Sequence, residues 1–316
     1  MQKIHLSLCT VATLCVMLAV VALASCEKAI FSEEESPSPD GNLRVNVYQI
    51  EKTDFGSLTR ATGNATRTAE ITTRAAKAAS EVVTRLNFAV YDESGSRIKQ
   101  VNQTSGDKNF GTAAFQLEEG DYFLVVVGHS ANGNPTMTNP QKISFTNAQG
   151  YTDTFLSSGD VTISDEPVEI DVTLDRIVAR CSFVLTDETI PSDVRKMQFY
   201  YTGGSGAFNA AIGLGSVNSK QTVTFDISSP SATTAEGRQF DLYTFLHEQS
   251  DNIALKVTAL DASGNTLYER DFDVPMEQNH ITWLSGAFFT GSGSSSTSVT
   301  GVTVNTDWAG ETYLTF

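Results

Sequence analysis

The side chains most able to do chemistry in this 316-residue chain are scattered along it. His129, His247 and His280 do not form a set with carboxylates or cysteines at the spacing of metal ligands, so they are predicted to be polar surface or loop residues. Asp271 and Asp273 bracket one residue of a predicted strand, where solvated carboxylates are expected rather than glycosidase chemistry. The sequence therefore predicts no enzyme activity, no cofactor and no metal.

The cysteines predict export without disulfides. Cys9 and Cys15 lie in the first residues of the chain, Cys26 follows them, and Cys181 is alone in the remainder. Cys181 alternates with apolar residues in a predicted strand, which is typical of a small buried side chain rather than a nucleophile.

The N-terminus has the layout of a secretory signal. Lys3 precedes an apolar run from Leu6 to Ala24, which is nearly long enough to span a bilayer. The ending Leu23-Ala24-Ser25-Cys26 instead resembles the lipobox of bacterial lipoproteins, in which the signal is cut before the cysteine and its thiol carries diacylglycerol. Residues 1–25 are therefore predicted to be a signal peptide and Cys26 a lipidated residue, whose several acyl chains give stable anchoring.

Composition limits the partners of the mature chain. Residues 26–42 are acidic and rich in serine and proline, with little to bury, and are predicted to be a tether. The formal net charge of −16 argues against nucleic acid and anionic lipid surfaces as partners.

The elements that follow the tether are predicted strands and one long loop. The alternation from Leu43 to Val47 predicts a short half-buried strand. Residues 52–80 are dominated by threonine, alanine, glycine and arginine, which predicts an exposed segment accessible to a protease that cleaves after arginine.

From Val82 onward the pattern is one of successive strands. The run Tyr122–Gly128 is apolar on both faces and is predicted to be central in its sheet. A second series of strands begins at Ile177. The spacing predicts an all-β chain of two β-sandwich domains, at 43–175 and 176–316.

Several phrases along nearly the whole chain resemble the fimbrillins and the fimbrial anchor and tip proteins of Bacteroidales, which build type V pili. The phrases are the lipobox at Cys26, Leu86-Asn87-Phe88-Ala89-Val90-Tyr91-Asp92, Glu119-Gly120-Asp121-Tyr122, Leu174-Asp175-Arg176-Ile177-Val178-Ala179-Arg180, and Val274-Pro275-Met276-Glu277-Gln278-Asn279-His280-Ile281-Thr282. The likeness lies in their order and spacing.

This resemblance implies two tandem transthyretin-like Greek-key domains in a surface lipoprotein that becomes an adhesive pilus subunit by strand exchange. Its partners would be other pilus subunits, the outer membrane through Cys26, and a host glycan or protein receptor. Arginine-specific cleavage would release a strand that carries Leu43, Val45, Val47 and Ile50, and the candidate cleavage sites are Arg60, Arg67, Arg74 and Arg85.

The C-terminal segment 297–316 has two interpretations. It is a donor strand for a neighbouring subunit, or it completes this chain's own second domain, and the residues concerned are Val302, Val304, Tyr313, Leu314 and Phe316. The position of the subunit as shaft, anchor or tip stays open. The alternative class is a carbohydrate-binding outer-membrane lipoprotein, for which Trp283 and Trp308 are the candidate aromatic platforms.

Overall fold

The computed structural model describes residues 41–50, 79–227, 238–290, 298–303 and 308–316, and these residues form a nearly all-β structure. The all-β fold class predicted from the sequence is confirmed. One turn of helix, α1, spans Ala79–Val82. The strands of the first half are β1 Leu43–Ile50, β2 Arg85–Tyr91, β3 Arg97–Thr104, β4 Thr112–Phe115, β5 Gly120–His129, β6 Ile143–Ser144, β7 Thr154–Ile163 and β8 Val168–Arg176.

The strands of the second half begin three residues after β8. They are β9 Ala179–Leu185, β10 Lys196–Thr202, β11 Ala207–Asn209, β12 Leu214–Gly215, β13 Gln221–Asp226, β14 Gln239–Thr244, β15 Ser250–Leu260, β16 Thr266–Glu277, β17 His280–Gly286, β18 Ser298–Thr303 and β19 Gly310–Thr315.

A seven-stranded sheet in the order β3-β2-β5-β7-β8-β1-β4 contains all the first-half strands except β6. Its strand β5 lies between β2 and β7, as its two apolar faces predicted. Leu124 and Val126 enter the core on one face of the sheet, whereas Val125 and Val127 enter a different core on the other. Every side chain from Leu124 to the end of β5 is buried, which a strand achieves only when both faces are covered.

Two further sheets enclose the core of the second half. Their orders are β13-β10-β15-β16 and β14-β9-β17-β19-β18. Phe183 of β9 lies near the centre, with its ring edge-to-face against Phe199 at 5.4 Å and against Phe272 at 5.8 Å. Such aromatic pairs add to the stabilisation that burial alone provides.

A third core joins the two halves. It contains Tyr91 and Val125 from the seven-stranded sheet together with Phe208 and Ile281 from the second half. A small sheet in the order β12-β11-β6 also combines strands from both halves. The division of the chain into two domains at residue 176 remains a prediction.

An aspartate side chain fixes one of the tight turns. In the turn between β2 and β3, Asp92 Oδ1 accepts hydrogen bonds from the N–H groups of Ser94 and Ser96, both at 2.9 Å. Hydrogen bonds from the Ser94 side chain and from these N–H groups hold the pKa of Asp92 below its usual range. Gly95 has a φ of 80°, a conformation that favours glycine.

The prediction that His129 is a surface or loop residue is wrong. His129 is the last residue of β5, and its side chain is fully buried. Asn87 Oδ1 lies 2.7 Å from Nε2, and the N–H of Ala131 donates to Nδ1 at 3.1 Å, so the ring is neutral with its proton on Nε2. Burial, together with the smaller effect of the Arg85 charge, lowers the pKa of His129 to about 4. The side-chain amide of Asn87 is the hydrogen-bond partner that a buried histidine needs.

Folding should therefore be sensitive to acid through His129. Between pH 6.5 and pH 4 the unfolded chain binds a proton at this residue and the folded chain does not, so the free energy of unfolding falls as the pH falls. From pH 7 to pH 5 we expect this residue to account for a loss of about 2 kcal/mol, measured by urea unfolding.

The His129→Gln variant should lose this part of the pH dependence, because glutamine does not titrate. His280→Gln is the matched control, since His280 is only half-buried. Equal slopes of stability against pH in wild type and His129→Gln would contradict the assignment.

Candidate functional site

Strand β1 lies inside the seven-stranded sheet, between two strands that are distant in sequence. It runs parallel to β8, where Leu43 is the partner of Val168 and Ile50 that of Leu174. On its other side it runs antiparallel to β4, with Leu43 opposite Phe115. The backbone of β1 is thus paired along both edges at its N-terminal end.

The inward face of β1 completes the hydrophobic core of the seven-stranded sheet. Leu43, Val45 and Ile50 are all at most 1% exposed, and Val47 packs against the same core at partial burial. The register to β8 shifts between Val47 and Gln49. This irregularity turns Ile50 back to the core side, although simple alternation from Val45 would have placed it outward. The four residues predicted for this strand therefore share one groove.

The outward face of β1 is polar and exposed. Asn46 Nδ2 donates to Glu169 Oε1 at 2.8 Å and to Asp171 Oδ1 at 3.1 Å, and its Oδ1 accepts from Thr112. Tyr48 is 71% exposed. This face bonds β1 to both neighbouring strands without burying more apolar surface.

Asn42 fixes the start of β1 against both of its neighbours. Its side chain donates to the carbonyl of Leu117 at 2.8 Å and accepts from the N–H of Leu117 at 2.9 Å, while its own carbonyl accepts from the N–H of Val168. Sequence reasoning missed Asn42 and Asn46, because the residues they bond are more than sixty positions away.

The candidate cleavage sites fall into two groups. Arg60, Arg67 and Arg74 lie outside the described residues. Arg85 is the first residue of β2, paired with Thr104 on one side and with His129 on the other. Its guanidinium also donates to the carbonyl of Ala131 at 3.1 Å. The peptide bond after Arg85 is held inside the sheet, where a protease active site does not reach it without local opening.

The C-terminal strand β19 belongs to the five-stranded sheet of this chain's second half, where it runs parallel to β17 along Gly310–Thr315. Leu314 is 1% exposed, and Tyr313 stacks on Trp283 with centroids 6.1 Å apart. Phe316 stacks on Phe183 at 5.2 Å. Val302 lies in β18, opposite Thr312, and Val304 lies outside the described residues.

Trp308 anchors the chain just before β19. It is 3% exposed, and the Arg176 guanidinium lies 4.0 Å from its ring centroid. Arg180 lies over the same ring at 5.1 Å. Trp308 is thus a buried residue and presents no platform to a carbohydrate in this conformation, while Trp283 is half-buried beneath Tyr313 and Arg180.

Arg176 is the best-connected charged residue at the junction between the two halves. Its Nε and Nη2 donate to the two carboxylate oxygens of Asp153 at 2.6 and 2.9 Å, and its Nη1 donates to Asn279 Oδ1 at 3.0 Å. The sequence phrase around Arg176 and Arg180 indicated a junction. Their common partner Trp308 could not be found by spacing, because it follows more than a hundred residues later.

The remaining candidates for chemistry have structural roles or lie elsewhere. Cys181 is fully buried, and burial raises the pKa of its thiol to about 12, so it is not a thiolate nucleophile. Asp271 lies 3.6 Å from the Lys256 ammonium, and Asp273 accepts from Asn252 at 3.2 Å, both on the exposed face of β16. Cys26 lies outside the described residues.

Neither a cluster of metal ligands nor a membrane-spanning helix is present among the residues that the structure describes. Among these, no three histidine, cysteine, aspartate or glutamate side chains converge as metal ligands would. The one described helical turn is too short to cross a membrane, and no other described helix does so.

A family of unknown function, DUF6562, matches residues 49–315. Because the match spans most of its length, the chain belongs to this family. None of the curated proteins matches the chain.

Solved structures similar to the chain include fimbrial proteins. The fimbrial anchor protein Mfa2 from Porphyromonas gingivalis has a TM-score of 0.40 at 12% identity, covering 72% of this chain and 81% of that chain. A fimbrial assembly protein from Parabacteroides distasonis has a TM-score of 0.33 at 13% identity, covering 67% and 86%. The tip fimbrial protein Mfa3 from Porphyromonas gingivalis has a TM-score of 0.31 at 13% identity, covering 61% and 76%.

These proteins are members of the group that the sequence motifs resemble. At such identities and TM-scores, the likeness assigns neither a function nor a partner to this chain.

The two faces of β1 should differ in their contribution to stability. Leu43→Ala should lower the free energy of unfolding by about 3 kcal/mol, because it removes a fully buried side chain and leaves a cavity. Tyr48→Ala on the exposed face should change it by less than about 0.5 kcal/mol. Urea unfolding of the two variants measures the difference. Similar losses of unfolding free energy in both would show that β1 does not pack in the sheet as described.

Proposed function

We propose that this chain is a lipid-anchored fimbrial subunit of a bacterial cell surface, which assembles by exchange of strand β1 after cleavage at an arginine. The observation that carries the proposal is the seat of β1. Its three fully buried side chains fill one hydrophobic groove, while its sequence neighbours at 51–78 contain Arg60, Arg67 and Arg74. A cut at any of these arginines leaves β1 attached to the sheet by non-covalent contacts alone.

Departure of β1 would expose two kinds of unsatisfied surface. The backbone edges of β8 and β4 would lose their partners, and the core residues beneath Leu43, Val45 and Ile50 would face water. Both are relieved when an extended strand of another subunit enters the groove, because the backbone pairs with the edges and alternate side chains fill the core. The fimbrial names of structurally similar proteins agree with this role.

Attachment to the outer membrane would occur through Cys26. The unprocessed chain should incorporate labelled palmitate when it is produced in a bacterium with a lipoprotein pathway, and Cys26→Ser should abolish the label. Retention of the label in Cys26→Ser would refute attachment at this residue.

Proteolysis tests assembly directly. The chain from residue 27 onward is treated with an arginine-specific protease and followed by mass spectrometry and size-exclusion chromatography. We expect loss of an N-terminal piece after Arg60, Arg67 or Arg74, with Arg85 intact because β2 is paired on both sides, and then ladders of polymers.

The triple variant Arg60→Gln, Arg67→Gln, Arg74→Gln is the control, and it should stay uncut and monomeric. Cleavage at one of the three sites without formation of polymers would contradict assembly by strand exchange. It would favour a subunit that stays monomeric.

The donor strand is proposed to be the C-terminal segment, which would have to leave its place beside β17. Ser285 and Thr315 are partners in that ladder, at a spacing suited to a disulfide when both are changed to cysteine. In the same assay, oxidised Ser285→Cys, Thr315→Cys protein should be cleaved but remain monomeric until a reductant is added. The Ser285→Cys single variant should polymerise in both conditions. Polymers from the oxidised double variant would show that another segment is the donor.

A further inference from the structure

A cleft of about 560 Å³ opens on the face of the seven-stranded sheet opposite to the groove of β1. Its floor contains Tyr91 of β2 and Phe123 of β5, which belong to the core shared by both halves of the chain. Segments around Pro140 and Asn209 form its roof, and they are joined by a hydrogen bond from the Ala210 N–H to the Pro140 carbonyl at 2.8 Å. The cleft is within the size range of ligand pockets.

The floor is rigid and aromatic. Tyr91 is fully buried, and its hydroxyl donates to the Met137 carbonyl at 2.7 Å, so this ring is held in place. Phe123 is the direct partner of Tyr91 on one side and of Asp160 on the other, which places the three side chains in one row across the sheet. Phe123 is half-buried, so part of its surface remains available to a ligand.

The walls are acidic. Asp160 and Glu93 are exposed, and within the described residues neither carboxylate has a hydrogen bond or an ion pair. Asp121 lies two residues before Phe123 on the same face, and only its Oδ1 is used, by the Thr162 hydroxyl at 2.5 Å. Cross-strand diagonal neighbours such as Asp121 and Asp160 are roughly 7 Å apart, which leaves room for a group between them.

No basic residue offsets these carboxylates among the residues that line the cleft in the described part of the chain. Arg97, whose charge reaches Tyr91, hydrogen-bonds Gln100 and is not part of the lining. With Asp92, four carboxylates line the cleft beside the aromatic ring. They attract a cation more strongly than a neutral ligand, because the ring face and the carboxylates are both negative.

We propose that this cleft binds a basic side chain, arginine or lysine, presented by another protein. The guanidinium or ammonium group lies between Asp121 and Asp160, and the aliphatic stem lies on the Phe123 ring. Glu93 adds to the attraction at the open end. The strands that form the floor, β2, β5 and β7, are separated from β1 by β8, so this site does not depend on strand exchange.

Ligand-observed NMR on the full chain tests the site with three capped pentapeptides, Gly-Gly-X-Gly-Gly, in which X is arginine, lysine or citrulline. The arginine and lysine peptides should bind, and the citrulline peptide should bind at least roughly tenfold more weakly, because it has the same shape without the charge. Equal binding of the citrulline peptide would overturn the proposal. So would tighter binding of a neutral oligosaccharide such as cellotriose, which would make the cleft a carbohydrate site.

Variants locate the binding. Asp160→Asn and Phe123→Leu should each weaken binding of the arginine peptide by roughly five- to tenfold. Glu248→Gln removes an exposed carboxylate outside the cleft and should leave the affinity for this peptide unchanged. Asp160 is exposed, so its amide variant should keep the unfolding temperature of the wild type. Unchanged affinity in Asp160→Asn, or equal weakening in Glu248→Gln, would show that the peptide does not bind here.

Discussion

The contacts of Arg176 hold together three parts of the chain that are distant in sequence. The guanidinium bonds both carboxylate oxygens of Asp153, lies over the ring of Trp308 and reaches Asn279. Because the arginine is buried, its charge is tolerated only with these partners in place. Removal of any one of them would leave a buried cation less well satisfied, so the end of β8, the start of β17 and the approach to β19 are energetically coupled.

The hydrophobic core that both halves of the chain share contributes to the same coupling through apolar contacts. Residues of β2 and β5 pack with Phe208, Phe245 and Trp308 from the second half of the chain. Interfaces between independent domains are usually more polar than this. Changes at the C-terminal segment should therefore affect the seven-stranded sheet, although the core of the second half and the core that contains β1 are separate clusters.

Local pattern was enough to predict the class of fold, the central position of β5 and the half-buried character of β1. These features depend on which faces of a strand are covered, and the order of apolar and polar residues records that directly. The parallel partner of β1 could not be predicted, because β8 begins more than a hundred residues later and no spacing rule links the two. Burial of His129 was missed for a similar reason, since its partner Asn87 lies on another strand. The acidic cleft could not be predicted from the sequence either, because only the register between β5 and β7 brings Phe123 beside Asp160.

The direction of β1 carries a consequence for any filament built by replacing it. A substitute strand that preserves the pairing must run parallel to β8 and antiparallel to β4, so it can enter in one orientation only. The groove and the incoming segment are different surfaces of the subunit, which makes the joint heterologous, and a heterologous joint that does not close into a ring propagates without limit. Such a fibre has two unlike ends. One presents an empty groove and the other a free strand, and growth, anchoring and termination each become properties of one end.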